Sequence, residues 1–264
     1  MPYGDMQTKS KREDIASTQM LKTRLAANKR ASRDFDEWCL RQFPELPMPS
    51  RIMDLGCGTG KQILLFSPLI SPRSQIWGLD LSGESLQRLT KKYSAKAELK
   101  LLEGSFDQLE SFPDLHDEQF DLIYGSYALY YTHDLPRLVT HIYRFLKPGG
   151  IFWVIAPYTG TNDEFLRIIR KYHEVEAFMD YVFDQFHVEV IEMGEKVGFK
   201  HLKPSLLRNR ISFPDSSSFM DYLSHSLFYR PGFDQAIKKE VDAIVDAKGE
   251  FSLSKHIISL QLRK

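Results

Sequence analysis

Cysteine is nearly missing from this chain, with two residues in 264, Cys39 and Cys57; this scarcity excludes a disulfide framework and favours a reducing compartment, the cytoplasm. Net charge is missing as well. The 35 basic side chains are matched by 35 acidic ones, which removes the long-range pull that draws a strongly basic chain to nucleic acid or to an anionic membrane. No apolar run is long enough to span a bilayer, and residues 1–30 hold no apolar signal-peptide core. The eight histidines, at positions 116, 133, 141, 173, 187, 201, 225 and 256, never stand at ligand spacing from a second His, a Cys or paired acids, so no metal site is expected. Internal repeats and low-complexity tracts are absent too. What is present, 42% hydrophobic and 27% charged residues, is enough for one large core or for a core and a cap.

The most informative segment is Arg51-Ile-Met-Asp-Leu-Gly-Cys-Gly-Thr-Gly60: a short apolar strand, a carboxylate, and alternating glycines before an apolar helical pattern. Glycines at 56, 58 and 60 let the backbone turn sharply and let a small adenosine-type ligand approach main-chain atoms. A plain strand-to-helix turn needs one or two glycines and no preceding Asp. The dinucleotide fingerprint G-x-G-x-x-G would require glycine at 61 or 63, and those positions are Lys61 and Ile63. A pyrophosphate cradle is therefore disfavoured, and a ligand whose charged part is an amino acid fits better.

Asp54-Leu-Gly-Cys-Gly-Thr-Gly60 resembles motif I of the class I S-adenosylmethionine-dependent methyltransferases, and Gln75-Ile-Trp-Gly-Leu-Asp80 resembles their second strand with its ribose-binding acid. Leu101-Leu-Glu-Gly-Ser-Phe106 resembles the third-strand exit beside the adenine, Phe120-Asp-Leu-Ile-Tyr-Gly125 the fourth strand, and Leu146-Lys-Pro-Gly-Gly-Ile-Phe-Trp-Val154 the loop and fifth strand. The resemblance implies a Rossmann-like, doubly wound α/β fold with a seven-stranded sheet, mostly parallel with the last strand antiparallel. It implies S-adenosylmethionine as cofactor and S-adenosylhomocysteine as product. The cofactor residues it implies are Gly56, Cys57, Gly58 and Gly60 for the methionine part, with Asp54 fixing the loop or the ammonium, Asp80 for the ribose hydroxyls, and Ser105 and Phe106 for the adenine, together with Thr59, Leu81, Gly104, Gly125 and Ser126. Many family members carry Asp where this chain has Ser105, and a hydroxyl meets the adenine amino group with a weaker bond than a carboxylate. As an alternative, Asp80 caps the helix that starts near Ser82, although Ser82 can do this itself.

A single methyltransferase domain is expected over 15–264, after a disordered polar tail over 1–14. Within it, 15–49 forms an N-terminal helical cover, in which Phe35, Trp38, Cys39 and Phe43 share a face; 50–157 is the cofactor-binding core; and 158–264 is a C-terminal part with a helical cap over about 213–248. Strand-length apolar runs at 51–55, 75–80, 98–102, 120–125 and 150–156 alternate with helical patterns such as Leu135, Leu138, Val139, Ile142, Phe145 and Leu146. After Pro157 the pattern is mostly helical, with a last strand in 251–262.

The implied reaction is an SN2 displacement at a methyl carbon, for which positioning matters more than acid–base work. The stretch Tyr124-Gly-Ser-Tyr-Ala-Leu-Tyr-Tyr-Thr-His133 leaves the fourth strand where ligands bind in such sheets, so Tyr127, Tyr131 and His133 are the candidate catalytic residues, with Tyr130 and Tyr158 as further wall. Each tyrosine could equally pack under the following helix, which Thr132 and Asp134 are suited to cap; an aromatic cluster could also hold a cationic amine. In place of the Asp/Asn-Pro-Pro-aromatic segment of amide and base methylating relatives stands Gly125-Ser-Tyr-Ala128, which disfavours DNA. Basic stretches at Lys22–Arg33 and Lys196–Arg210 read as solvated faces, or as grips for an acidic small molecule. The expectation is methyl transfer, to oxygen or nitrogen, on a small-molecule acceptor by a monomer or homodimer that engages no membrane. An RNA or protein acceptor, and a non-catalytic cofactor-binding regulatory subunit, are the alternatives.

Overall fold

A computed structural model describes residues 30–201, 204–226 and 228–264. In chain order the elements are α1 (Phe35–Gln42), β1 (Arg51–Leu55), α2 (Lys61–Phe66), β2 (Gln75–Asp80), α3 (Gly83–Lys92), β3 (Glu98–Glu103), β4 (Phe120–Ser126), α4 (Leu135–Phe145) and β5 (Leu146–Pro157). They are followed by α5 (Asp163–Ile169), α6 (Ala177–Asp180), a π-helical turn (Tyr181–Gln185), α7 (Phe186–Val197), β6 (Lys200–His201), β7 (Ser205–Phe213), α8 (Ser216–Ser224), α9 (Asp234–Lys248) and β8 (Phe251–Arg263). These form two compact units. Residues 35–157, 184–206 and 258–264 make the core unit; the described residues 30–34 with 158–183 and 207–257 make the other.

The strands of the core unit lie in the order β3-β2-β1-β4-β5-β8-β6. Neighbours among the first five are parallel, and β6 runs antiparallel to β8. This is the expected Rossmann-like sheet. The order reverses between β1 and β4, which opens a crevice beyond their carboxyl ends. Continuous apolar runs in β1 and β4 follow from burial on both faces: Ile52, Met53, Leu55, Leu122 and Ile123 are each at most 1% exposed. Trp153 sits among Phe66 and Tyr124, its ring 5.3 Å and 5.9 Å from theirs, and its indole N–H donates to the Ser259 hydroxyl at 2.8 Å. Asp134 caps α4 by accepting from the Arg137 amide, and Leu135, Leu138, Val139, Ile142 and Phe145 form its buried stripe. Ser82 caps α3 through the Ser85 amide.

In the other unit β7 pairs with β8, and Phe219 at the heart of α8 meets Phe165, Phe213 and Phe251 at centroid distances of 5.4, 5.5 and 4.7 Å. The helices expected within 213–248 are α8 and α9. β7 was not expected. Its burial alternates, with Leu207, Asn209, Ile211 and Phe213 inside and Arg208 and Arg210 outside, so two cations of the basic stretch 196–210 belong to the outer face of a strand. Buried Asn209 breaks the apolar period because its amide serves residues 32 and 33, accepting from the Ser32 hydroxyl and Arg33 N–H and donating to Arg33 C=O. The expected tail over 1–14 and the helix before residue 30 lie outside the described residues. Among the described residues no helix is long and apolar enough to cross a membrane.

Candidate functional site

The loop between β1 and α2 is held from beneath: the amides of Gly56 and Cys57 both donate to the Leu79 carbonyl, at 2.8 and 3.0 Å. Gly56, Gly58 and Gly60 take φ of +75°, +53° and +78°, the left-handed region that favours glycine. Their surroundings differ. A Cβ on Gly56 would meet Ala128 Cβ, and one on Gly60 would meet the Leu89 side chain, whereas a Cβ on Gly58 would meet no atom within 4 Å. Two glycines thus allow protein to pack against the loop, and the middle one borders open space. Thr59 beside it is half-buried.

Asp80, at the carboxyl end of β2, accepts the Gly58 amide at 2.7 Å on one oxygen and the Ser82 amide at 2.9 Å on the other. Each carboxylate oxygen keeps a further lone pair. Burial pushes the Asp80 carboxyl up, against the lowering effect of those two amides. Asp54 is 2% exposed, and burial pushes its carboxyl up to about 8, with Asp80 raising it further and the Tyr124 hydroxyl, which donates to it, holding it down. Burial and the Asp54 charge push the Tyr124 phenol up in turn, and burial pushes the Cys57 thiol up, so neither ionises near neutral pH. Among the described residues neither Asp54 nor Asp80 has a cationic partner. Asp80 thus stands at the end of β2 with one backbone amide on each oxygen, and Asp54 lies buried against Tyr124, both without a counter-ion among the described residues.

Past β3, Gly104 (φ +156°) lies against Phe112, and Ser105 caps the short 3-10 segment Phe106–Ser111 by accepting the Asp107 amide at 3.1 Å, which leaves its hydroxyl proton to donate. Asp107 reaches back to the exit of β4, where its Oδ1 accepts from the Thr132 hydroxyl at 2.5 Å and the His133 amide at 3.3 Å. Leu81, directly after β2, is 56% exposed.

Comparison with known proteins follows the same lines. Residues 53–154 match the family model described as a methyltransferase domain. That segment, less than half of the chain, is similar to a methyltransferase domain. It is similar to a trans-aconitate 2-methyltransferase of Deinococcus radiodurans, 32% identical over 115 residues that cover 44% of this chain and 40% of that protein. It is also similar to a demethylmenaquinone methyltransferase of Symbiobacterium thermophilum, 31% identical over 166 residues, 62% of this chain and 63% of that protein. The chain therefore spans less than two thirds of either relative. The crystal structure of an S-adenosylmethionine-dependent methyltransferase from Mesorhizobium loti shares the fold, at TM-score 0.52 and 18% identity over 87% of this chain and 98% of that one.

The exit of β4 gathers the candidate acceptor residues. Gly125 is buried, with the Leu129 side chain where its Cβ would be, and the Ser126 hydroxyl oxygen is buried without a hydrogen-bond partner among the described residues. Tyr127 is 39% exposed at φ +56°, a conformation that costs a bulky non-glycine residue about 1–3 kcal/mol and that clusters at functional sites. Its amide is pinned to the Ile155 carbonyl at 2.8 Å, and its ring meets Phe35 of α1 edge-on at 6.0 Å. Lys61 lies 5.0 Å from the Phe35 ring and 2.6 Å from Asp36. Tyr130 is 8% exposed and packs between Tyr131 and Phe186, so it serves the core more than an open wall. Tyr131 is half-buried and His133 exposed. Tyr158 belongs to the other unit, where its amide donates to the His256 carbonyl at 2.9 Å.

Reading the sequence alone gave no part to Asp107 or Lys61, and none to the Tyr124 hydroxyl that meets Asp54. A signal existed for Tyr124: a phenol inside an otherwise apolar central strand needs a buried partner, and the one acid at the neighbouring strand's end, Asp54, supplies it.

Proposed function

We propose that this protein is an S-adenosylmethionine-dependent methyltransferase acting on a small molecule. The observation that carries the reading is the pair of acids without a cationic partner among the described residues, Asp54 and Asp80, at the glycine loop whose middle residue borders open space. The cofactor, when bound, supplies a methyl group on a sulfonium, activated for direct displacement. Asp80 takes the ribose hydroxyls with the lone pairs its backbone contacts leave free, Asp54 faces the ammonium, and the amides around Gly58 take the carboxylate. Ser105 and Phe106 flank the adenine. Tyr127, Tyr131 and His133 orient the acceptor and exclude water beside it, which is where most of the rate is gained in a reaction governed by geometry, on the order of 7–11 kcal/mol. The neutral overall charge supports a small acceptor over RNA. Calorimetric titration of S-adenosylmethionine and S-adenosylhomocysteine, followed by a metabolite screen for turnover, tests the reading; failure of both ligands to bind would leave a non-catalytic subunit.

Proton release accompanies cofactor binding in this scheme. With its carboxyl raised to about 8, Asp54 holds a proton at neutral pH in the free protein. The folded chain then binds more protons than the unfolded one between the usual carboxylate value and about 8, so Asp54's contribution to stability is present below that window and is lost as pH rises through it. A ligand ammonium reverses the preference. Calorimetry in buffers of different ionisation enthalpy should show release of up to about one proton near neutral pH and an affinity that climbs toward mildly alkaline pH. Asp54→Asn should abolish both effects, and a pH-independent affinity in the unmodified protein would remove Asp54 from the ammonium.

On the acceptor side, Tyr131→Phe and His133→Ala should each lower kcat by about tenfold or more while leaving S-adenosylhomocysteine affinity within experimental error. Unchanged turnover in both would move the acceptor away from the exit of β4.

A further inference from the structure

The unit formed by residues 30–34, 158–183 and 207–257 contains a cation with no anion to meet it. Lys255 of β8 donates from its ammonium to Asn162 Oδ1 at 2.5 Å and to the Tyr222 hydroxyl at 2.8 Å, and lies 5.3 Å from the centre of the Tyr222 ring. Both partners are neutral. Among the described residues no carboxylate comes within ion-pair distance of it, although other lysines of the same unit are matched: Lys238 holds both oxygens of Asp242, at 3.0 and 2.8 Å, and Lys171 holds Glu240 at 2.5 Å. Glu164, two residues beyond Asn162, is committed elsewhere, because the Ser254 amide and hydroxyl donate to its oxygens at 2.9 and 2.7 Å.

Hydrogen-bonding capacity points the same way. An ammonium has three N–H donors, and two are used. The Tyr222 hydroxyl accepts from Lys255 and still has its proton to give, and Asn162 accepts with its oxygen and still has its amide N–H groups. None of these donors meets an acceptor among the described residues. Asn162 is 4% exposed, sits at φ +65°, and is fixed by its amide to the Ser254 carbonyl at 2.8 Å, so its side chain is held in place by a backbone conformation that few residues adopt. It follows the carboxyl end of β5 by one short loop, the kind of connection on which α/β proteins place ligand contacts. Three donor groups around a half-buried cation, with no protein acceptor to absorb them, call for an anion with more than one oxygen.

We propose that Lys255, Tyr222 and Asn162 form a binding site for the carboxylate or phosphate group of a small molecule. Lys255 supplies the charge, Tyr222 a short hydroxyl hydrogen bond, and Asn162 a neutral donor that sets the direction of approach. The site stands whether or not the chain transfers methyl groups.

The test is calorimetric titration of the full-length protein with citrate and, separately, with inorganic phosphate, at fixed ionic strength, repeated on Lys255→Met and Tyr222→Phe, with S-adenosylhomocysteine titrated into each. At least one anion should bind the unmodified protein, roughly tenfold or more weakly after Lys255→Met and less severely weakened after Tyr222→Phe, while S-adenosylhomocysteine affinity stays the same. Binding of citrate alone marks a carboxylate site, and binding of phosphate alone a phosphate site. No binding of either anion, or equal binding with and without Lys255, overturns the proposal. Should Lys255→Met not fold, Tyr222→Phe decides, and an anion affinity unchanged in that variant overturns the proposal. Loss of S-adenosylhomocysteine binding by the unmodified protein would count against the methyltransferase reading and leave the anion site untouched.

Discussion

Gly58→Val should yield a folded protein that no longer takes up S-adenosylhomocysteine. The position sits at φ +53°, where a β-branched residue is strained, and the resulting destabilisation should be about 1–3 kcal/mol. No protein atom lies within 4 Å of the added Cβ, so the fold has nothing else to lose. On the function we propose, the new side chain enters the space the cofactor would take. Circular dichroism should show a native spectrum with a modestly lower Tm, and calorimetry should show no heat of binding. Retained affinity would mean that the ligand, if any, lies elsewhere.

Asp80→Ala should weaken the cofactor by roughly 100-fold or more, since it removes a charged acceptor, leaves two ligand hydroxyls unmatched and lets the loop drift. The loop effect is built into the contacts: Gly58 and Ser82 lose the acceptor of their amides at 2.7 and 2.9 Å. Stability should therefore fall as well, by about 1–3 kcal/mol. Asp80→Asn separates the two roles. Its amide oxygen still accepts one backbone N–H and restores part of the Tm, while its nitrogen cannot accept a ribose hydroxyl, so affinity stays low. Equal affinity in the alanine variant and the unmodified protein would end the ribose assignment.

Much of this site could be read from the chain because the constraints are local. A strand, a carboxylate and glycines at 56, 58 and 60 write their geometry in consecutive letters, and Ser82 and Asp134 announce the starts of α3 and α4 as capping residues do. What escaped was fixed at long range. The Tyr124 phenol matters because Asp54 lies on the adjacent strand; Asp107 matters because Thr132 and His133 come back beside it 25 and 26 residues later. β7 hid for another reason: its outward arginines counted as a basic run, and its one buried polar residue, Asn209, interrupted the apolar alternation for the sake of a partner segment 176 residues away. The Lys255 cluster likewise joins three parts of the chain that no sequence window contains.

The unequal neighbourhoods of the three loop glycines bear on how such a sequence drifts over generations. Gly60 is guarded by Leu89 and Gly56 by Ala128, so each is tied to a partner whose size decides whether a larger residue could ever be inherited there. Among descendants, alanine at 60 should arise only in company with a smaller residue at 89, and change at 56 only with retreat at 128. Gly58 has no such partner in the protein. Apart from the strain of its own φ, its history would follow the ligand we propose, and its replacement in a lineage would mark where that use was lost.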